Sequence, residues 1–77
     1  MSPENPPKVV KAPLPGVIDS IKVKAGDKVK YGQELVVIEA MKMKNSIKAT
    51  KECTITKVCV AVGDHVPHGA ALVEFTE

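Results

Sequence analysis

Lys42, set between Met41 and Met43 and preceded by Glu39 and Ala40, is the side chain here whose surroundings most suggest chemistry. A neutral lysine amine attacks an activated carboxyl group, so the reaction open to it is acyl transfer. Thioether neighbours are flexible and polarisable, suited to packing against a partner surface or against whatever the amine carries. The chain holds eleven lysines and no arginine, so only geometry and surroundings could single one amine out. Glu39 is either part of those surroundings or a solvated strand-end charge. Two further groups call for a reading. His65 and His68, split by Pro67, could suggest a metal, but two histidines alone make a poor site and a plain turn is favoured. Cys53 and Cys59 would lie roughly 20 Å apart if one strand holds both. A disulfide tolerates Cα separations only up to about 7 Å. With no paired histidine and aspartate context for nucleophilic catalysis, the cysteines read as small packing residues in a reducing, cytoplasmic compartment.

Size and charge limit what these groups can belong to. A chain of 77 residues is one small domain, without room for two domains facing a cleft or for a doubly wound nucleotide fold. Nothing suggests that it catalyses a reaction unaided. Eleven basic residues against nine acidic ones give a formal net charge of +2, too balanced for nucleic-acid binding driven by counterion release. Without arginine, bidentate reading of phosphate or guanine is also missing. No apolar run approaches the roughly 20 residues of a membrane span, and the N-terminus lacks the apolar region of a secretory signal. Residues 1–8, with Pro3, Pro6 and Pro7, read as a linker remnant, and residues 9–77 as the folded domain. Lys22, Lys24, Lys28 and Lys30 read as solvent-facing strand residues that discourage edge-to-edge aggregation, with a docking face for an acidic partner as the alternative.

The elements that would position Lys42 emerge from an internal repeat. Gly26-Asp27 recurs as Gly63-Asp64, and at that offset of 37 there are ten identities in the thirty pairs 11–40 and 48–77. Besides the Gly-Asp pair these are Lys11/Lys48, Ala12/Ala49, Ile18/Ile55, Val23/Val60, Val29/Val66, Gly32/Gly69, Leu35/Leu72 and Val36/Val73. Two copies are too few for a solenoid, so a β unit closing on itself about a pseudo-twofold axis is expected. Within each copy the apolar period is strand-like. It breaks between Ile18 and Ile21 and again between Ile55 and Val58, which predicts a bulge in both copies. Glycines 26, 32, 63 and 69 mark turns. The run 35–38 predicts a strand buried on both faces. The fold class is all-β, a flattened barrel or sandwich. Residues 39–45 join the copies as a hairpin, with both chain termini at the opposite end. Its tip either projects Lys42 into solvent or is an ordinary loop whose methionines tuck into the core.

Glu39-Ala40-Met41-Lys42-Met43 resembles the attachment motif of biotin carboxyl carrier domains, in which the lysine between two methionines carries biotin on its side-chain amine. Ala12-Pro13-Leu14-Pro15-Gly16 is similar to the family's opening turn, which commonly has Met where Leu14 stands. The two Gly-Asp segments resemble its paired hairpins, and the likeness runs over residues 9–75. The resemblance implies a flattened barrel-sandwich of two four-stranded antiparallel sheets with an internal pseudo-twofold repeat. It implies biotin on Lys42, with Met41, Met43, Ala40 and Glu39 as motif context. A departure is Cys53, at the position equivalent to Gly16; a need for φ > 0 there would strain a cysteine by ~1 kcal/mol or more.

Function and partners follow as expectations of the resemblance. The domain would be a non-catalytic carrier, shuttling a carboxyl group between partner active sites of a biotin-dependent carboxylase or decarboxylase complex. A biotin protein ligase would activate the vitamin as an acyl-adenylate for attack by Lys42. Biotin carboxylase and carboxyltransferase or decarboxylase subunits would be the working partners, with no nucleic acid and no membrane insertion, and the isolated domain monomeric. The first half aligns with the second without a gap, so it lacks the protruding insertion of some bacterial acetyl-CoA carboxylase carriers. Modification would lower the formal charge by one from +2. The rivals are a lipoyl carrier domain, where an acidic residue usually precedes the lysine, and an unmodified β-barrel interaction module.

Overall fold

The computed structural model describes residues 8–76, in which every regular element is a strand. The strands are β1 (Lys8–Lys11), β2 (Gly16–Ile21), β3 (Lys28–Val29), β4 (Glu34–Ala40), β5 (Met43–Lys48), β6 (Cys53–Val58), β7 (His65–Val66) and β8 (Ala71–Thr76). The proline-rich linker expected at residues 1–8 lies outside the described residues except for Lys8, which opens β1 opposite Phe75. Two four-stranded antiparallel sheets form, in the orders β1-β8-β6-β3 and β5-β4-β2-β7. Shifting each strand of one sheet by the 37-residue repeat reproduces the order of the other, with β1 standing for β5. The two sheets are therefore related by the pseudo-twofold axis, and the chain ends beside β1 and β8 take the place that the β4–β5 hairpin holds in the other sheet.

The repeat extends to individual hydrogen bonds. Gly26 N–H donates to the Ile55 carbonyl at 2.7 Å and Gly63 N–H to the Ile18 carbonyl at 2.8 Å. Lys22 N–H reaches the Leu35 carbonyl, as Cys59 N–H reaches that of Leu72, both at 2.8 Å. Each Gly-Asp turn is tied twice, because the aspartate carboxylate also accepts the N–H three residues back, from Lys24 at 3.0 Å and from Ala61 at 2.9 Å. Gly26 and Gly63 hold φ of 97° and 94°, a backbone region open to glycine at no steric cost and fitting the third position of a type II turn. The broken apolar period corresponds to real bulges. Asp19 falls between the pairs Ile18–Ile38 and Ser20–Val37, and Thr56 falls between Ile55–Phe75 and Lys57–Glu74.

The core lies between the sheets and is aliphatic, with Ile18, Leu35, Ile38, Ile55 and Leu72 among its fully buried members. Full burial of such a side chain contributes about 1.5–3 kcal/mol. The run 35–38 is buried throughout, as a strand covered on both faces must be. Cys53 corrects an expectation. It opens β6 opposite Val29, is buried, and has no positive φ, so copy two carries no backbone strain there. Of the four lysines expected on strands, only Lys28 is in one; Lys22, Lys24 and Lys30 are exposed on connecting segments.

Candidate functional site

Strands β4 and β5 run antiparallel from Glu34–Lys48 to the closing pair Ala40–Met43, leaving Met41 and Lys42 as a two-residue turn. Two-residue hairpin loops match the strand twist when both central residues have φ > 0, and Asn-Gly is the usual solution. Here neither residue is glycine, yet Met41 has φ 52° and Lys42 φ 64°. Left-handed backbone costs an L-residue roughly 1–2 kcal/mol. The ladder on either side holds the turn in this conformation, and Lys42 stands at its exposed apex. The methionines do not tuck into the core: Met41 is 93% and Met43 65% exposed.

Beneath the hairpin, β2 lies beside β4 with Val17 opposite Glu39 and Ile18 opposite Ile38. Gly16 makes this approach possible. A Cβ built on it would come 2.6 Å from the Glu39 carbonyl oxygen and 3.3 Å from Ala40 Cβ. Glu39 is exposed beside Lys44 on β5, and Ala40 is half-buried. Lys44 Nζ lies 3.7 Å from Asp19 Oδ1, so the bulge residue of β2 ties across β4 to the strand that follows the apex. Sequence reasoning had Gly16 as a turn glycine and gave Asp19 no role; the broken apolar period at Asp19 was the signal available for the latter.

The remaining candidates lie elsewhere. His65 is exposed on β7 opposite Val17, and His68 is exposed on the turn before Gly69. Among the described residues no three metal-ligating side chains come together. Cys53 and Cys59 are not in a disulfide, and the Cys59 thiol lies 3.9 Å from a Glu74 carboxylate oxygen. No helix of the described residues is long and apolar enough to cross a membrane.

Comparison with known proteins places this geometry. Residues 8–75 match the family described as "Biotin-requiring enzyme" (Biotin_lipoyl). The chain is 48% identical over 71 residues to the mitochondrial propionyl-CoA carboxylase alpha chain of Homo sapiens, covering 92% of this chain and 10% of that protein. It is 48% identical over 66 residues to the mitochondrial methylcrotonoyl-CoA carboxylase subunit alpha of Mus musculus, covering 86% of this chain and 9% of that protein. The chain thus spans about a tenth of the length of these relatives. Their mitochondrial names do not narrow the expected compartment to the cytoplasm. Among solved structures, a single-chain, multi-domain long-chain acyl-CoA carboxylase superposes with a TM-score of 0.88 at 29% identity, over 99% of this chain and 8% of that one. The lipoyl domain of the 2-oxoglutarate dehydrogenase complex from Azotobacter vinelandii superposes with a TM-score of 0.78 at 28% identity, over 90% of this chain and 95% of that one. With its duplicated sheets and the hairpin that joins them, the chain belongs to the biotin/lipoyl-attachment family of biotin-requiring enzymes, as a non-catalytic carrier domain of the kind found in biotin-dependent carboxylases.

Proposed function

We propose that Lys42 is covalently biotinylated and that this domain shuttles carboxyl groups between the active sites of a biotin-dependent acyl-CoA carboxylase. The observation that carries the reading is the turn itself: a lysine held at φ 64° at the exposed apex of the hairpin between two repeat copies. A biotin protein ligase would activate the carboxyl group of biotin with ATP, and the neutral Lys42 amine would attack it to form an amide as adenylate leaves. When bound, biotin supplies the ureido nitrogen that carries carboxylate. Lys42 supplies the tether, and the ladder below it fixes where the arm begins. Tethering makes each transfer intramolecular, with effective concentrations in the ~mM range for flexible connections. The exposed Met41 and Met43 offer apolar contact to the ligase and to the partner active sites, and Glu39 places a carboxylate beside them.

The named relatives are carboxylases, and no acidic residue directly precedes Lys42, so biotin is favoured over lipoate. The test is intact mass and peptide mapping after incubation with biotin, ATP and a biotin protein ligase. One biotin-sized addition on Lys42 is expected, and none in Lys42→Arg. An addition retained by that variant excludes Lys42. Modification by a lipoyl ligase alone would transfer the assignment to the rival cofactor.

A further inference from the structure

The two ends of the barrel do the same structural work, so residues that break their equivalence point to something only one end does. At the end away from Lys42, a cavity of about 230 Å³ is lined by Val9, Val10, Leu35, Ala49, Cys53 and Phe75, with Lys48, Thr50 and Lys51 also on its wall. The β4–β5 ladder separates Glu34–Lys48 from Ala40–Met43 by six residues, so the cavity lies roughly 20 Å from the attachment hairpin. A second, more open depression adjoins it through Cys53 and is bordered by Lys28, Lys30 and Glu52.

Under the repeat, Lys48, Ala49, Thr50, Lys51 and Cys53 correspond to Lys11, Ala12, Pro13, Leu14 and Gly16. The half-buried Leu14 of copy one is thus replaced by a lysine beside the apolar lining of copy two. Lys28 and Lys30 correspond to His65 and Pro67, and Glu52 to Pro15. Four lysines and one glutamate therefore surround the two depressions, where the corresponding positions at the hairpin end hold one lysine, Lys11. Nothing in barrel closure asks for this difference.

We propose that this end is a docking surface for an acidic polypeptide segment carrying a single apolar anchor, whose anchor enters the cavity between Val9, Leu35, Ala49 and Phe75 while its carboxylates face Lys28, Lys30, Lys48 and Lys51. Charge complementarity selects the occupant, since an apolar side chain fits the lining and only acidic neighbours suit the rim. The surface does not depend on modification of Lys42. It would hold the domain to its complex at one end and leave the hairpin free at the other.

The test uses the isotope-labelled 77-residue chain and a synthetic capped peptide, Asp-Glu-Leu-Glu-Asp, followed by amide chemical shifts. Saturable shifts are expected at Val10, Ala49 and Phe75 and none at Met41 or Lys42, in the wild type and in Lys42→Arg alike. Lys51→Leu restores the residue type of copy one and removes one ammonium group from the wall; affinity should fall a few-fold, and by at least about tenfold when the peptide leucine becomes serine. Lys51→Gln, which removes the same charge and stays polar, should cost a similar few-fold. Should Lys51→Leu not fold, the serine peptide and the surface variant Lys28→Gln/Lys30→Gln decide the matter by their loss of affinity. Absence of shifts, equal binding of the serine peptide, or shifts spread over every exposed lysine overturns the proposal. So does peptide binding seen only after removal of residues 1–7, which makes the chain's own N-terminus the occupant, or self-association through this face in sedimentation.

Discussion

A side chain at Gly16 would meet the Glu39 carbonyl oxygen and Ile38 Cγ2, both at 2.6 Å from its Cβ. One of these contacts is backbone of the strand that leads to Lys42, so it cannot swing aside as a flexible chain end could. Gly26 differs in kind, since its Cβ would meet nothing within 4 Å and its requirement is the positive φ alone. Gly16→Ala is therefore expected to cost about 1–3 kcal/mol through overpacking, measured by urea unfolding, and to shift the amide signals of Glu39 and Ala40. An unchanged midpoint would mean that β2 and β4 separate easily at this point. The glycine was visible in the sequence, but its reason was not. A close approach between strands is a tertiary contact, and no local pattern distinguishes it from a turn. Cys53 shows the converse: at the equivalent place in copy two a side chain is accommodated, buried and without positive φ.

The hairpin of β4 and β5 is an element whose turn chemistry contradicts its geometry. Its ladder is regular from Val36–Ile47 to Ala40–Met43, and the strand run 35–38 that anchors it was legible as an unbroken apolar stretch. The bulges were legible too, because an inserted residue reverses the apolar alternation. The left-handed pair Met41-Lys42 was not, since turns of this type are read from Asn-Gly or Asp-Gly and neither is present. Asparagine tolerates left-handed backbone better than methionine. Met41→Asn is thus expected to raise stability by about 0.5–1 kcal/mol in thermal unfolding. If the exposed thioether is there for recognition, the same variant should be labelled more slowly by biotin protein ligase, through a raised KM at little change in kcat. Faster or equal labelling would show that Met41 does not serve the ligase.

Taken as a whole, the molecule is two interlaced copies. β2 and β4 of copy one pair in one sheet while β3 of the same copy pairs with β6 in the other, and β7 of copy two returns to β2. Each half thus completes the sheet of its partner. At about 0.05–0.15 kcal/mol per residue, a chain of this length has roughly 4–12 kcal/mol of stability to lose. Leu35 and Leu72 are equivalent and are 1% and 0% exposed, and truncating either to alanine typically costs about 2–5 kcal/mol. Interlacing predicts that Leu35→Ala and Leu72→Ala lower stability by similar amounts. It also predicts that each lowers the hydrogen-exchange protection of Ile18 and Ile55 together, although these amides belong to different copies. Loss of protection confined to the mutated copy would mean that the halves open separately. The linked result bears on function, because a hairpin that unfolds only with the whole barrel stays a fixed platform for Lys42. Flexibility in the carrier would then reside in the lysine arm and in the connection to neighbouring chain, not in the domain between them.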